Sequence, residues 1–258
     1  MKKEHIIQIN AEACVGCGLC QRDCPANNIQ INDKKAAVIT QDCIKCGHCV
    51  AVCPKAAVSM TGFDEAPMET KKPVTLNPGE LLDALRTRRT IRQFTSRQVD
   101  PELIARIIEA GRLTPTGKNA QDVSFIVLKD HIEQFEKPAV KLFRRILPLI
   151  KLVTPMAKRM TIDDHFFFKK APAAIIITSP DQVNGSLAAA NMELMAEACG
   201  LGVLYSGFFT MAANHSPSLR RMLRLKRGDK AVMTLVLGYS AVTYHRTAQK
   251  EAALVRQF

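Results

Sequence analysis

The chain has 258 residues with a hydrophobic fraction of 47%, enough for one large domain or two unequal ones. Its formal charge is +12, but the 36 Lys and Arg are dispersed and aromatic residues make up only 5%, which argues against a nucleic-acid-binding surface. Residues 198–219 lack Asp, Glu, Lys and Arg, yet Gly200, Gly202, Gly207, Asn214, His215 and Pro217 interrupt them, so no membrane-spanning helix is expected.

Residues 1–10 lack the apolar core of an export signal. Beyond them eight of the nine cysteines fall into two copies of one pattern. Cys14, Cys17, Cys20 and Cys24 precede Pro25, and Cys43, Cys46, Cys49 and Cys53 precede Pro54, at a constant offset of 29 residues. Three thiolates at successive C-x-x-C spacing can each reach a different iron of one cubane. In two-cluster ferredoxins the fourth ligates the other cluster. The expected ligand sets are therefore Cys14, Cys17, Cys20 and Cys53 for one [4Fe–4S] cluster, and Cys43, Cys46, Cys49 and Cys24 for the second. Zinc sites show separated C-x-x-C pairs instead. Covalent haem is not indicated, because Gly47 separates Cys46 from His48. The repeat extends past the cysteines: Ile29-Gln30-Ile31 and Val58-Ser59-Met60 occupy equivalent positions, and residues 32–35 read as a turn between two short strands. A 62-residue module has little apolar core, so the clusters are expected to hold it together.

Residues 63–78, with Pro67, Pro73 and Pro78, read as an extended linker. From residue 79 onward the periodicity changes. Asp100-Pro101-Glu102 is a helix start, with Leu103, Ile104, Ile107 and Ile108 on one face. Residues 123–128, 173–178 and 231–237 are β-branched runs expected as buried strands. Residues 184–199 suit a buried helix stopped by Gly200, and Ser216-Pro217 opens a helix through Leu225. The fold class is α+β, in domains 1–62 and 79–258.

Four segments of the second domain together resemble the FMN-dependent nitroreductase family. The first is Arg88-Arg89-Thr90-Ile91-Arg92-Gln93-Phe94. By this resemblance Arg88, Thr90 and Arg92, with Arg89 close by, bind the flavin phosphate and ribityl chain. A dianionic phosphate suits forked guanidinium donors and a hydroxyl. The second runs from Thr114 through Pro115, Thr116, Asn119 and Gln121, where the family places polar contacts to the flavin. Here Asp122-Val123 replaces the family's Pro-Trp. The third runs from Glu197-Ala198-Cys199-Gly200-Leu201-Gly202 to Ser206-Gly207, whose main-chain donors the resemblance sets beside the reactive flavin nitrogen. The fourth is Leu237-Gly238-Tyr239-Ser240, with Ser240 in place of proline, followed by Arg246 as the basic residue toward the phosphate. Cys199, outside the cluster repeat, is expected as a packed core thiol.

The whole chain thus resembles ferredoxin–nitroreductase fusion proteins: a two-cluster ferredoxin-like module followed by a nitroreductase-like flavin domain. The resemblance implies an oxidoreductase that takes single electrons through two [4Fe–4S] clusters to FMN and reduces a nitroaromatic, quinone or similar conjugated acceptor. Alternatives are a specialised dehalogenase or enoyl reductase, and an electron-transfer or redox-sensing flavoprotein without turnover. No side chain is required as nucleophile or base, because the cofactor does the hard step. A homodimer is implied. The donor is a ferredoxin-like protein or NAD(P)H, although no G-x-G-x-x-G follows a strand. Oxidised cubanes carry roughly two negative charges each, which offsets part of the +12, and the remainder suits an acidic donor. Labile clusters and a free Cys199 fit the cytoplasm.

Overall fold

The structure, a computed structural model, describes residues 4–70, 74–153 and 155–258. Residues 1–3 of the amino-terminal segment and Pro73 of the linker lie outside the described residues. The chain divides into two units, one of Met1–Thr75 with Gly117–Ala120, the other of Leu76–Thr116 with Gln121–Phe258.

In the first unit the 29-residue repeat becomes two interlocked halves. The first repeat supplies β1 (Ile7–Ile9), α1 (Leu19–Arg22) and β2 (Ile29–Asn32). The second supplies β3 (Lys35–Val38), α2 (His48–Ala51) and β4 (Val58–Met60). β1 pairs antiparallel with β4, and β2 with β3, so each two-stranded sheet takes one strand from each repeat. Matching hydrogen bonds extend both sheets: Asn10 N–H donates to Ala57 O at 2.8 Å, and Ile39 N–H to Asn28 O at 3.0 Å. The β2–β3 turn has positive φ at Asp33 and Lys34, as a two-residue hairpin turn requires. Ile7, Ile29, Ala36 and Val58 form the small core with Cys14, Cys20 and Cys49.

The second unit begins with α3 (Pro78–Thr87), capped by the Asn77 carboxamide, which accepts from Gly79 and Glu80 N–H. The expected linker therefore ends at a helix start. There follow α4 (Pro101–Arg112), β5 (Ser124–Leu128), α5 (Glu133–Val153), β6 (Ala173–Thr178), α6 (Gln182–Ala198), β7 (Gly202–Tyr205), α7 (Gly207–His215), α8 (Pro217–Met222) and β8 (Ala231–Gly238). Asp100 caps α4 as its sequence predicts, accepting from Glu102 N–H. The sheet order is β5-β6-β8-β7, antiparallel throughout. All six residues of β6 are buried, because its faces serve different cores. Ala174 and Ile176 join Phe143, Phe167, Phe168 and Phe209 under α5 and α7. Ala173, Ile175 and Ile177 join Ile104, Ile107, Ala189 and Met192 of α4 and α6.

Two details differ from the sequence expectation. Residues 123–128 are an edge strand, with Leu128 alone buried in β5, because this strand pairs only with β6. The helix from Ser216 ends at Met222: Arg224 turns to φ 52° and Leu225 N–H closes back on Arg220 O at 2.9 Å. Within residues 131–170, α5 lays Ala139, Val140 and Phe143 on the core.

Candidate functional site

In the first unit the cysteines line two separate cavities. Cys14, Cys17, Cys20 and Cys53 line one; Cys24, Cys43, Cys46 and Cys49 line the other. Each cavity has three cysteines from one repeat and the fourth from the other, a consequence of the exchanged strands. After each Cys-Pro pair the chain returns to its strand and donates to the sulfur just passed. Asn28 N–H donates to Cys24 Sγ and Ala57 N–H to Cys53 Sγ, both at 3.3 Å. Ala36 N–H donates to Cys14 Sγ and Lys45 N–H to Cys43 Sγ, also at 3.3 Å. Such donors stabilise thiolate charge and set cluster potential.

Electrostatics records the same grouping. The Ala36 and Gly16 N–H groups hold the Cys14 thiol below its ordinary value against burial. Burial raises Cys20, with Cys53 and Cys14 adding to it. Burial pushes Cys49 up to about 11, with Cys46 and Cys24 adding to it. Among the described residues no three Cys, His, Asp or Glu side chains converge closely enough for a single metal ion. A cubane gives each thiolate its own iron, so its ligands stand around a larger body. This donor set fits an iron–sulfur cluster better than zinc.

In the second unit the segment carrying Arg88–Thr95 is held along β7 and the end of β8. Thr90 bridges Val203, Ile91 N–H donates to Val203 O at 3.0 Å, and Phe94 bridges Ser240. Gly202 permits this approach, since a Cβ there would sit 2.4 Å from Ile91. The result is a cavity of about 350 Å³ with Arg88 and Arg89 on its wall, together with Glu197, Gly200–Gly202, Ser240 and Tyr244. Two guanidinium groups at a glycine-lined wall fit a phosphate.

Arg88 also forms an ion pair that the sequence reading missed. Its Nη1 donates to Glu193 Oε1 at 2.8 Å, and the Tyr205 hydroxyl donates to Glu193 Oε2 at 3.1 Å. Burial raises Tyr205, and the Glu193 charge and hydrogen bond add to it. Burial also raises Glu197, Arg88 opposing and Glu193 reinforcing the shift. The available signal was the i, i+4 spacing of Glu193 and Glu197, which puts two carboxylates on one face of α6 with Arg88 as their countercharge.

The remaining predicted flavin residues lie elsewhere. Arg92 and Arg246 are exposed. Pro115 is exposed, and the Thr116 hydroxyl accepts from Gln121 N–H at 3.0 Å. Asn119 belongs to the first unit, where its Nδ2 donates to Ile44 O at 3.1 Å and Lys45 O at 2.8 Å. Ser206 N–H is engaged by Thr234 O at 2.9 Å, and its hydroxyl donates to Phe167 O. Gly207 opens α7, and a Cβ there would meet nothing within 4 Å. It lines a second cavity, of about 340 Å³, with Thr210, Asn214, His215 and Lys230. Asp122, at the family's proline position, accepts from Asn184 Nδ2 at 3.0 Å. In the aromatic run Phe166–Phe168, Phe167 and Phe168 are buried against Phe143 and Phe209, whereas the neighbouring His165 is partly exposed with its Nδ1 3.7 Å from Glu136 Oε2. Cys199 packs beside the second core.

Comparison with known proteins gives two matches along the chain. The 4Fe-4S dicluster domain matches residues 6–54, and the Nitroreductase family matches residues 85–239. A Methanothermobacter thermautotrophicus protein named as an NADH dehydrogenase/NAD(P)H nitroreductase is 27% identical over 171 residues, covering 63% of this chain and 78% of that protein. Iodotyrosine deiodinase 1 of Sus scrofa is 25% identical over 189 residues, covering 66% of this chain and 64% of that protein. A Bacteroides fragilis nitroreductase structure with bound FMN shares the fold at a TM-score of 0.55 and 18% identity, covering 69% of this chain and 99% of that one.

Proposed function

The chain belongs to the nitroreductase family, and we propose that it acts there as a flavin-dependent reductase fed by its own iron–sulfur module. In this reading Cys14, Cys17, Cys20 and Cys53 hold one [4Fe–4S] cluster, and Cys24, Cys43, Cys46 and Cys49 hold the other. Bound FMN would accept single electrons and return them in pairs to a nitroaromatic, quinone or similar conjugated acceptor. The observation that carries the reading is the pair of four-cysteine cavities on a nitroreductase-family chain.

The chain's own residues would bind, orient and tune. Arg88 and Arg89 offer the phosphate its countercharge, and Gly207 leaves room for a close approach to the start of α7. N–H donors to Cys14, Cys24, Cys43 and Cys53 favour the added negative charge of reduction. The predicted flavin residues do not meet in one cavity of one chain. That scatter supports a homodimer in which a second copy completes each flavin site. A low-potential, ferredoxin-like donor fits the built-in module, and the cytoplasm fits its labile clusters. Among the described residues no helix is long and apolar enough to cross a membrane.

Reductive dehalogenation is the second reading, favoured by the similarity to iodotyrosine deiodinase. The test is anaerobic reduction of the purified protein by a one-electron donor, with flavin absorbance followed as acceptors are added. Rapid reoxidation by a nitroaromatic or quinone, with reduced product, is the expected result. Reoxidation only by a halophenol supports dehalogenation. A flavin that reduces but meets no acceptor in the panel leaves an electron carrier or sensor.

A further inference from the structure

We propose that Glu193 is a positioning residue for phosphate recognition, fixing the Arg88 side chain so that its uncommitted edge can serve the flavin phosphate. The proposal rests on the reading that Arg88 binds that phosphate. Glu193 itself lies outside the lining of the cavity that has Arg88 and Arg89 on its wall.

The Arg88 backbone is anchored from both sides. Its N–H donates to Ala84 O at 3.0 Å and closes α3, and two residues further on Thr90 bridges Val203 of β7. What remains is a long side chain with several rotatable bonds, and an anion that had to order it would bind more weakly. Glu193 supplies that order in advance. Arg88 Nη1 donates to Glu193 Oε1 at 2.8 Å, with the two side chains largely withdrawn from solvent. This bond uses one guanidinium nitrogen. Nε and Nη2, the side-on fork of the same plane, have no hydrogen-bond partner among the described residues. A fork of this kind can bind a phosphate through two parallel N–H donors.

Glu193 is held in its turn. The Tyr205 hydroxyl donates to Glu193 Oε2 at 3.1 Å, and burial together with the Glu193 charge keeps that hydroxyl protonated. Tyr205 packs against the core that α6 shares with β7, where Ala189, Met192 and Val203 are buried. One carboxylate oxygen thus takes the guanidinium and the other takes the phenol, from two elements locked into one core.

Glu197 gives this arrangement its consequence. It stands one turn further along α6, lines the cavity itself, and also attracts Arg88. An Arg88 released from Glu193 can turn its donors to this second acid and withdraw them from a phosphate. Glu193 also carries a charge that repels phosphate through space. Positioning and repulsion have opposite signs, so removing the charge separates them.

The test uses the full-length, cluster-loaded protein freed of flavin. Binding of FMN, and of riboflavin, which lacks the phosphate, is titrated by flavin fluorescence. Glu193→Gln keeps the shape without the charge, and Tyr205→Phe removes the O–H that holds Glu193. Both variants should weaken FMN binding several-fold and leave riboflavin binding unchanged. In an Arg88→Ala background Glu193→Gln should cause no further loss, because it acts through Arg88. FMN affinity that rises or stays level in Glu193→Gln would overturn the proposal, as would an equal loss for both flavins, the mark of a merely structural role. A further loss in the Arg88→Ala background would overturn it too. A wild-type protein that binds both flavins equally, or an Arg88→Ala variant that keeps the preference for FMN, would instead remove the reading on which the proposal rests.

Discussion

Gly16 and Gly47 both lie in the cysteine loops at positive φ, yet they are not equivalent. Gly16 has φ 68° and the Lys34 carbonyl against it; Gly47 has φ 77° and nothing within 4 Å. Gly47→Ala should cost only the left-handed backbone strain, about 1–2 kcal/mol. Gly16→Ala must also displace the β2–β3 turn, so its loss should exceed that of Gly47→Ala, as chemical denaturation of the cluster-loaded protein would measure. The same separation of roles applies to the arginines. Arg88 is tied to Glu193 at side-chain exposures of 26% and 13%, so Arg88→Ala leaves partly buried acids without a countercharge. It should lower both FMN retention and stability, the latter by about 1–3 kcal/mol after allowance for solvent screening. Arg89 has no such partner among the described residues, and lies 6.0 Å from the Tyr244 ring centroid. Arg89→Ala should therefore weaken FMN retention with little change in melting temperature; unchanged flavin stoichiometry would take Arg89 out of the site.

Elements legible in the sequence are those specified by neighbouring residues. Asp100 before Pro101 fixed the start of α4, and Gly200 the end of α6, where Leu201 N–H closes on Ala196 O at 2.9 Å. The cysteine spacing grouped the cysteines as the two cavities do, because the 29-residue offset is itself the structural repeat. Non-local features were illegible: nothing inside residues 123–128 says that β5 will be the edge strand, and nothing near Asn119 points to Ile44 and Lys45. α5 was obscured by Pro138 and Pro148, although tertiary packing of Val140 and Phe143 keeps it helical. Its Glu136 shows what that packing secures. The carboxylate Oε1 accepts from Phe167 N–H at 2.7 Å and Phe168 N–H at 2.8 Å, in a side chain 2% exposed. Glu136→Ala would leave two buried N–H groups unpaired, a loss of about 2–4 kcal/mol. Burial raises the carboxyl above its ordinary 4.5, outweighing both N–H donors and His165. Folding therefore takes up a proton here. The proton-linked stabilisation is complete below 4.5 and is lost as pH rises through the raised value. Glu136→Gln retains an acceptor but cannot titrate, so its denaturation midpoint should lack that decline. Parallel pH profiles for Glu136→Gln and wild type would refute the assignment.

For the molecule as a whole the question is whether the clusters feed the flavin or merely hold their own module together. Crosswise ligation, as proposed, would separate these roles, because each fourth cysteine follows the three assigned to the other cluster. Cys24 lines the cavity of Cys43, Cys46 and Cys49, and Cys53 that of Cys14, Cys17 and Cys20. Cys24→Ala should thus erase the signal of the second cluster and spare the first, and Cys53→Ala should do the reverse. Loss of only the first signal in Cys24→Ala would refute the crosswise assignment. Arg88, Arg89 and Gly207 remain intact in both variants, so FMN content should hold. If both clusters relay electrons, each variant should slow flavin reduction by a one-electron donor by at least about tenfold, since losses beyond the ligands themselves already reach that scale. Photochemical reduction, which delivers electrons to the flavin directly, should be unaffected and so separates a broken relay from a damaged flavin site. Should Cys53→Ala slow the donor reaction while Cys24→Ala does not, the first cluster alone carries the current. The second would then be a structural cluster that holds its own module together.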